Sequence, residues 1–361
     1  MRLIKPTLLI DKEKCFNNIE RMADKAKRHN LIFRPHFKTH QSRTVGRWFA
    51  EYGVSKITVS SVDMAVKFAQ DGWKDITIAF PLNINEIETI NTLAKDITLR
   101  LTLLNQESIN ALNKKLSSEV GVFVKIDTGN RRTGIPYENI NEIANLKEKI
   151  SKAPKLHFKG LLTHAGHTYQ AGSTAEILKI HKETRDRLLG VKEQIAGSDE
   201  EVVISVGDTP SCSLADDFEG ISEIRPGNFV FFDLQQYKLN ACSLEDIAVC
   251  LACPVVAKHE DRNEIVVHGG AVHLSKDKCI EGEKSIYGYG VMLNSKGWII
   301  PEEKIILGKL SQEHGTFYVH PNTMEKFDIG DFIGVLPPHS CLTAHCMGSF
   351  QDVVTGERIF S

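Results

Sequence analysis

Three things are scarce in this chain of 361 residues: an excess of charge of either sign, a long uninterrupted hydrophobic run, and cysteines at paired metal-finger spacing. The formal net charge is −2, which removes any broad electrostatic reason to expect nucleic acid or an anionic membrane as a partner. The N-terminal stretch MRLIKPTLLIDKEKC holds a short apolar patch broken by lysine and proline, too brief for a signal-peptide core or a membrane span, so a cytoplasmic protein is expected. Eight cysteines are scattered without a secretory leader, which favours reduced thiols or metal ligands over a disulfide framework. Cys250 and Cys253 form a C-x-x-C, but no second pair follows and the surrounding LACPVV reads as strand, so both are expected as buried thiols.

What is present is an ordinary globular composition, 42% hydrophobic and 25% charged, in a chain long enough for two domains. Short runs rich in Ile, Val, Phe and Thr recur near 31–36, 56–60, 75–80, 97–103, 120–126, 156–163, 202–206 and 221–225. Most gaps hold longer stretches with helical apolar spacing, such as 84–95 and 172–196. Eight alternating βα units predict a (β/α)8 barrel of the TIM type over residues 11–243, with a doubly wound parallel sheet as the competing architecture. After about residue 245 the pattern changes to short β-type runs (247–257, 263–268, 304–309, 316–320 and 331–336) between Gly, Pro and Asp turns. An all-β domain over 244–361 is expected to follow the barrel.

The segment RPHFKTHQS, Arg34 to Ser42, sets one lysine among an arginine and two histidines at the end of the first strand. Alternation along a strand sends Arg34, His36 and Lys38 to one side and Phe33, Pro35 and Phe37 to the other. Such a polar stripe is costly unless it binds something. Neighbouring cations and partial desolvation of Lys38 would disfavour its ammonium form and fit it to form a Schiff base with a carbonyl, here anticipated to be pyridoxal phosphate.

Barrels of this kind place chemistry at the C-terminal ends of their strands, and unusual residues fall there. The fifth strand runs into TGNRRTG, delivering Lys125, Asp127, Arg131 and Arg132, and the sixth is followed by His164, His167 and Tyr169. The seventh opens into Gly207, Asp208, Thr209, Pro210 and Ser211, whose amides and hydroxyls suit a phosphate; the eighth ends in Arg225, Pro226, Gly227 and Asn228. Both loops also have ordinary turn compositions, so the weight lies in their joint placement. In the β domain, His339 and Cys341 lie two apart in PPHSCLTAHC, so that an extended segment would project both to one side as a zinc-type donor pair with an open coordination position.

RPHFKTHQS, DTGNRRTG, GLLTHAGHTY, SVGDTPS, EIRPGNFVFFD and PPHSC together resemble the D-serine dehydratase and D-threonine aldolase group of alanine racemase-like (fold type III) pyridoxal phosphate enzymes. The resemblance spans nearly the whole chain, and RPHFKTH and the late H-x-C are its specific parts. It implies a cofactor-binding barrel, a β domain that completes the site and is joined by residues 1–10, and a homodimer acting on a small D-amino acid. Lys38 matches the Schiff-base lysine, which also serves as general base. Arg132 matches the arginine after the fifth strand, and His164 the histidine beside the cofactor ring. Tyr169, Thr209, Gly227 and Asn228 match cofactor-holding positions. Arg225 aligns with the arginine facing the pyridine nitrogen, and His339 and Cys341 with the zinc pair of D-serine dehydratase. Aldolase relatives more often carry aspartate at the Cys341 position, which favours dehydration of D-serine to pyruvate and ammonia over retro-aldol cleavage to glycine and an aldehyde. A racemase, with Tyr287 or Tyr289 as opposite-face acid, and a non-catalytic cofactor-binding protein are further alternatives. His268 stands where relatives often have an acidic residue, a departure that bears on the substrate pocket.

Overall fold

The computed structural model describes residues 3–197 and 201–361, and the chain forms two compact units. One comprises Arg21–Lys38 and Phe49–Gly227; the other comprises the N-terminal residues through Glu20, Thr39–Trp48 and Asn228–Ser361. The second unit thus draws on more of the chain than 1–10 and 244–361, taking in Asp11–Glu20, Thr39–Trp48 and the residues from Asn228 onward as well.

The first unit is built on eight parallel strands: Ile32–Phe33, Lys56–Val59, Asp75–Pro81, Thr98–Leu103, Val120–Asp127, Leu156–Leu162, Val203–Val206 and Glu223–Ile224. The first pairs with the eighth, and the ladder continues through the seventh, sixth, fifth, fourth and third to the second. A parallel bridge between His36 and Thr58 joins the two ends, so the sheet closes into a barrel and the doubly wound alternative is set aside. The first strand is shorter than its apolar run because Pro35 has no N–H to donate. Its carbonyl still accepts from Thr58 N–H at 2.9 Å, and Phe37 N–H donates to the Thr58 carbonyl at 2.9 Å. Strands covered on both faces carry almost no polar alternation, as in Val120–Asp127, where every residue but the last is buried. Between the fifth and sixth strands the register shifts at Val122/Phe123 opposite Gly160. Gly160 has φ +149°, and a Cβ there would stand 2.0 Å from the Val203 carbonyl oxygen, so only glycine fits.

Helices cover this barrel. Thr174–Ile195 buries Ile177, His181, Thr184, Leu188, Val191 and Ile195 along one stripe, and the Ser173 hydroxyl accepts from Glu176 N–H at its start. Phe37 is fully buried between Phe49, Phe68 and Trp73, with ring centroids 5.1, 4.9 and 5.0 Å away. The expected alternation therefore holds at Phe37 but needs correction at Arg34. Arg34 is 1% exposed and is consumed by the barrel itself, its Nε 2.6 Å from Glu223 Oε2 and its Nη1 2.6 Å from Asp75 Oδ1. Its charge is answered by structure, not by a ligand.

The second unit holds an antiparallel sheet ordered Glu264–His268, His314–Tyr318, Ile305–Leu310, Tyr289–Asn294, Phe332–Leu336, Val249–His259, Thr7–Ile10, Ser349–Asp352, Arg358–Phe360. Glu264–His268 also pairs back onto Val249–His259. Thr7–Ile10 pairs antiparallel with Val249–Ala252 and parallel with Gln351–Asp352. Leu9, Ala252 and Val353 form a core here, with Leu3, Leu293, Trp298 and Phe332 packed on it. Cys250 and Cys253 are fully buried free thiols, and burial raises both well above the ordinary thiol range. Among the described residues no helix is long and apolar enough to cross a membrane.

Candidate active site

The C-terminal ends of the barrel strands bring together a group of cations and imidazoles: His36 and Lys38 after the first strand, Lys125 on the fifth, Arg132 in the following loop, His164 after the sixth and Arg225 after the eighth. Lys38 itself is exposed, which corrects the expectation that it is desolvated. It lies beyond the end of its strand, and the burial falls on its neighbours instead. Lys125 is 6% exposed, and burial, reinforced by Arg225, Arg132 and Lys38, lowers its ammonium to about 8. Burial and then Lys38 lower His164 to about 3, and its Nδ1 donates to the Gly207 carbonyl, so the ring is neutral. His36 is likewise held well below its ordinary value by burial and the same cations. Arg225 is buried; its Nε donates to Ser205 Oγ at 2.7 Å and its Nη2 to the Thr163 carbonyl, and burial lowers it to about 10, so it stays charged at neutral pH.

The cost of burying Lys125 gives a stability test. Its folded value of about 8 lies below the ordinary 10.5, so an unfavourable contribution is present in full below pH 8 and disappears as pH rises toward 10.5. Lys125→Met is expected to stabilise the protein without added cofactor by up to about 3 kcal/mol at pH 7. Urea midpoints at pH 7 and pH 10.5 check this: the gap between variant and wild type closes at the higher pH, whereas a gap independent of pH refutes the cause.

These residues fit a phosphorylated cofactor on two observations. The cluster is strongly positive, with Asp127 the carboxylate near Lys125, tied by its own loop through Gly129 N–H at 2.9 Å and Arg131 N–H at 3.1 Å. The Thr209 hydroxyl is buried without a hydrogen-bond partner in the helix Thr209–Leu214, which Asp208 caps by accepting from Ser211 N–H at 2.8 Å. Tyr169 Oη accepts from Thr209 N–H at 3.3 Å, so these two expected cofactor positions are adjacent. Gly207 lies against Arg225, where a Cβ would stand 2.9 Å from the Arg225 Cβ and carbonyl. Gly227 closes the loop after the eighth strand, in which Pro226 accepts from His36 N–H at 2.9 Å.

In the second unit, His339 and Cys341 do not lie on an extended segment. Ser340–Met347 is a helix with His339 at its N-cap and Cys341 in its first turn, because nothing after Pro338 breaks helical geometry until Gly348 at φ +64°. The two side chains still interact. Burial opposes charge on the His339 ring, but Cys341 and Asp233 outweigh it and raise the imidazole to about 11. Cys341 Sγ lies 3.2 Å from Thr39 Oγ1, and His339 Nδ1 is buried 3.4 Å from Asp233 Oδ2 without a well-aligned hydrogen bond. A neighbouring imidazole and thiol form a donor set that suits zinc. Asn228, expected at the cofactor, belongs to this unit: its Nδ2 donates to Asp233 Oδ2 at 2.6 Å and Ser340 Oγ at 3.0 Å, and lies 3.5 Å from Cys341 Sγ. His345 is exposed and meets Gln41 Nε2 at 3.2 Å.

His268 and His273 come together with Glu313, their nearest ligand-type atoms within 4.8 Å of one another. Gly270 N–H donates to His273 Nδ1 at 3.2 Å, which leaves the neutral ring's proton on Nε2 and works against metal binding there. His268 Nε2 lies 3.4 Å from Glu313 Oε2, so a carboxylate does stand beside this histidine, supplied by the neighbouring hairpin.

Residues 10–235 match the family model of the alanine racemase N-terminal domain, and residues 248–353 that of a putative serine dehydratase domain. The chain belongs to the family built on the alanine racemase N-terminal domain, and the resemblance read from its motifs is borne out. It is 26% identical to the D-threo-3-hydroxyaspartate dehydratase of Delftia sp., covering 98% of this chain and 97% of that one. The solved structure of that dehydratase matches with a TM-score of 0.91 over 99% of this chain and 97% of the other, at 24% identity. A cysteine-to-alanine variant of it has been solved in a metal-free form. The D-serine dehydratase of Dictyostelium discoideum is 27% identical over 99% and 95% of the two chains. A D-threonine aldolase from Arthrobacter sp. is 20% identical over 94% and 86%.

Proposed function

We propose that this protein is a pyridoxal phosphate- and zinc-dependent lyase for D-β-hydroxy amino acids, acting as a D-serine dehydratase. The observation that carries the reading is the convergence of Lys38, Lys125, His164, Arg132 and Arg225 at one end of the barrel, in a chain whose other unit holds an imidazole–thiol pair at His339 and Cys341.

Lys38 would hold pyridoxal phosphate, which would supply an electron sink, and His339 and Cys341 would hold zinc, which would supply a Lewis acid for the substrate's β-hydroxyl. Thr209, Ser211 and Tyr169 would hold the phosphate, and Arg132 and Lys125 would balance its anionic charge. Arg225, fixed by Ser205 and Thr163, would offer a held cation to the cofactor ring. His164 presents a neutral ring beside the cofactor, so it adds no further charge repulsion to Lys38. The amine of Lys38 would take the proton from the substrate Cα. Loss of the β-hydroxyl followed by hydrolysis gives a 2-oxo acid and ammonia.

Retro-aldol cleavage is the alternative that similarity to a D-threonine aldolase keeps in play. Mass-spectrometric identification of the products from D-threonine, with pyridoxal phosphate and zinc supplied, separates the two. The expected products are 2-oxobutyrate and ammonia. Glycine and acetaldehyde would assign the protein as an aldolase, and inversion of D-alanine without cleavage of either hydroxy amino acid would make it a racemase.

A further inference from the structure

Asp233 is fully buried, and its two carboxylate oxygens have different work. Oδ1 accepts from Gln236 N–H at 3.0 Å and caps the short helix Leu234–Lys238, an ordinary local role. Oδ2 has no part in that cap. It accepts from Asn228 Nδ2 at 2.6 Å, Ser340 N–H at 2.9 Å and Ser340 Oγ at 3.3 Å, and it faces His339 Nδ1 at 3.4 Å. All of these partners belong to one compact unit. Around the same strand of chain, Leu234 N–H donates to the Pro337 carbonyl at 3.0 Å and Gln235 N–H to that of Pro338 at 3.3 Å, so the backbone leading to His339 is fixed as well.

A buried carboxylate is costly unless every lone pair is used, and a cap alone needs one oxygen. The second oxygen is aimed at the residue between His339 and Cys341 and at the ring of His339. We propose that Asp233 is the positioning residue of the metal pair: its Oδ2 takes the Nδ1–H of His339, which fixes the tautomer and presents Nε2 as the ligand atom, while Ser340 locks the turn that carries Cys341. Ligating histidines characteristically donate their other ring N–H to a carboxylate in this way, and loss of that partner lowers metal affinity. The inference rests on the zinc site proposed above.

Zinc affinity of the full-length protein, measured by competition with a chromophoric chelator, tests it. Wild type is expected to bind one equivalent, and Asp233→Asn to bind about 10- to 100-fold more weakly. Melting of the metal-free proteins separates positioning from folding, with Ser340→Ala as the comparison, since it removes one donor to Oδ2 but leaves Asp233 facing His339. Ser340→Ala is expected to melt lower yet keep zinc affinity within about threefold. Equal zinc affinity in Asp233→Asn and wild type overturns the proposal, as does a loss in both variants that simply follows their loss of metal-free stability. If His339→Ala binds zinc as tightly as wild type, the zinc reading itself fails and the role of Asp233 falls with it.

Discussion

Lys38→Ala is expected to abolish the visible absorption band of the bound cofactor and to lower turnover of D-serine by at least about 10³-fold, because it removes the Schiff-base amine and the proton acceptor together. The second lysine of the cluster makes the measurement discriminating. Lys125 is buried, and burial together with Arg225 and Arg132 lowers its ammonium to about 8, which brings it within reach of a nucleophilic role of its own. Lys38 nevertheless stands at the mouth, exposed to an incoming carbonyl. A spectrum in which Lys38→Ala retains the band and Lys125→Ala loses it would transfer the covalent role to Lys125.

Cys341→Ala is expected to leave that band in place while removing bound zinc and lowering dehydration by about 10² to 10⁴, the rate equivalent of losing several kcal/mol of Lewis-acid stabilisation at the departing hydroxyl. Absorbance, metal content and pyruvate formation on the same preparation check the three parts. Retained activity with no metal in either protein would remove zinc from the mechanism and leave the thiol as a packing residue beside Thr39.

Much of the barrel was legible because its strands are buried on both faces and so read as continuous β-branched runs. The terminal strands are shorter than their apolar runs: those at 31–36 and 221–225 contain or abut Pro35 and Pro226, and regular strand ends at Phe33 and Ile224, with single hydrogen bonds and the His36–Thr58 bridge continuing the pairing. In the sheet unit, Tyr289–Asn294 was hidden by its Tyr-Gly spacing, which suits a turn as well as a strand. Cationic side chains at strand ends could be picked out by type and position, but how burial is shared among them could not. Arg34 looks identical in sequence whether it meets a ligand or Glu223, which lies most of the barrel away along the chain. Asp233 was illegible for the same reason. In FFDLQQ it reads as a helix cap, and only tertiary structure brings Ser340, 107 residues on, to its second oxygen.

The strand Thr7–Ile10 has consequences for the order in which the molecule is assembled. It precedes every barrel strand in the sequence, yet its partners Val249–Ala252 and Gln351–Asp352 come after all of them. The barrel's strands, by contrast, pair mainly with sequence neighbours, so they can associate while the ribosome is still at work. His339 and Cys341 emerge in the same late interval as the strand that completes the pairing of Thr7–Ile10. On the zinc reading proposed above, metal capture becomes a late event of biogenesis, after every barrel strand has been made.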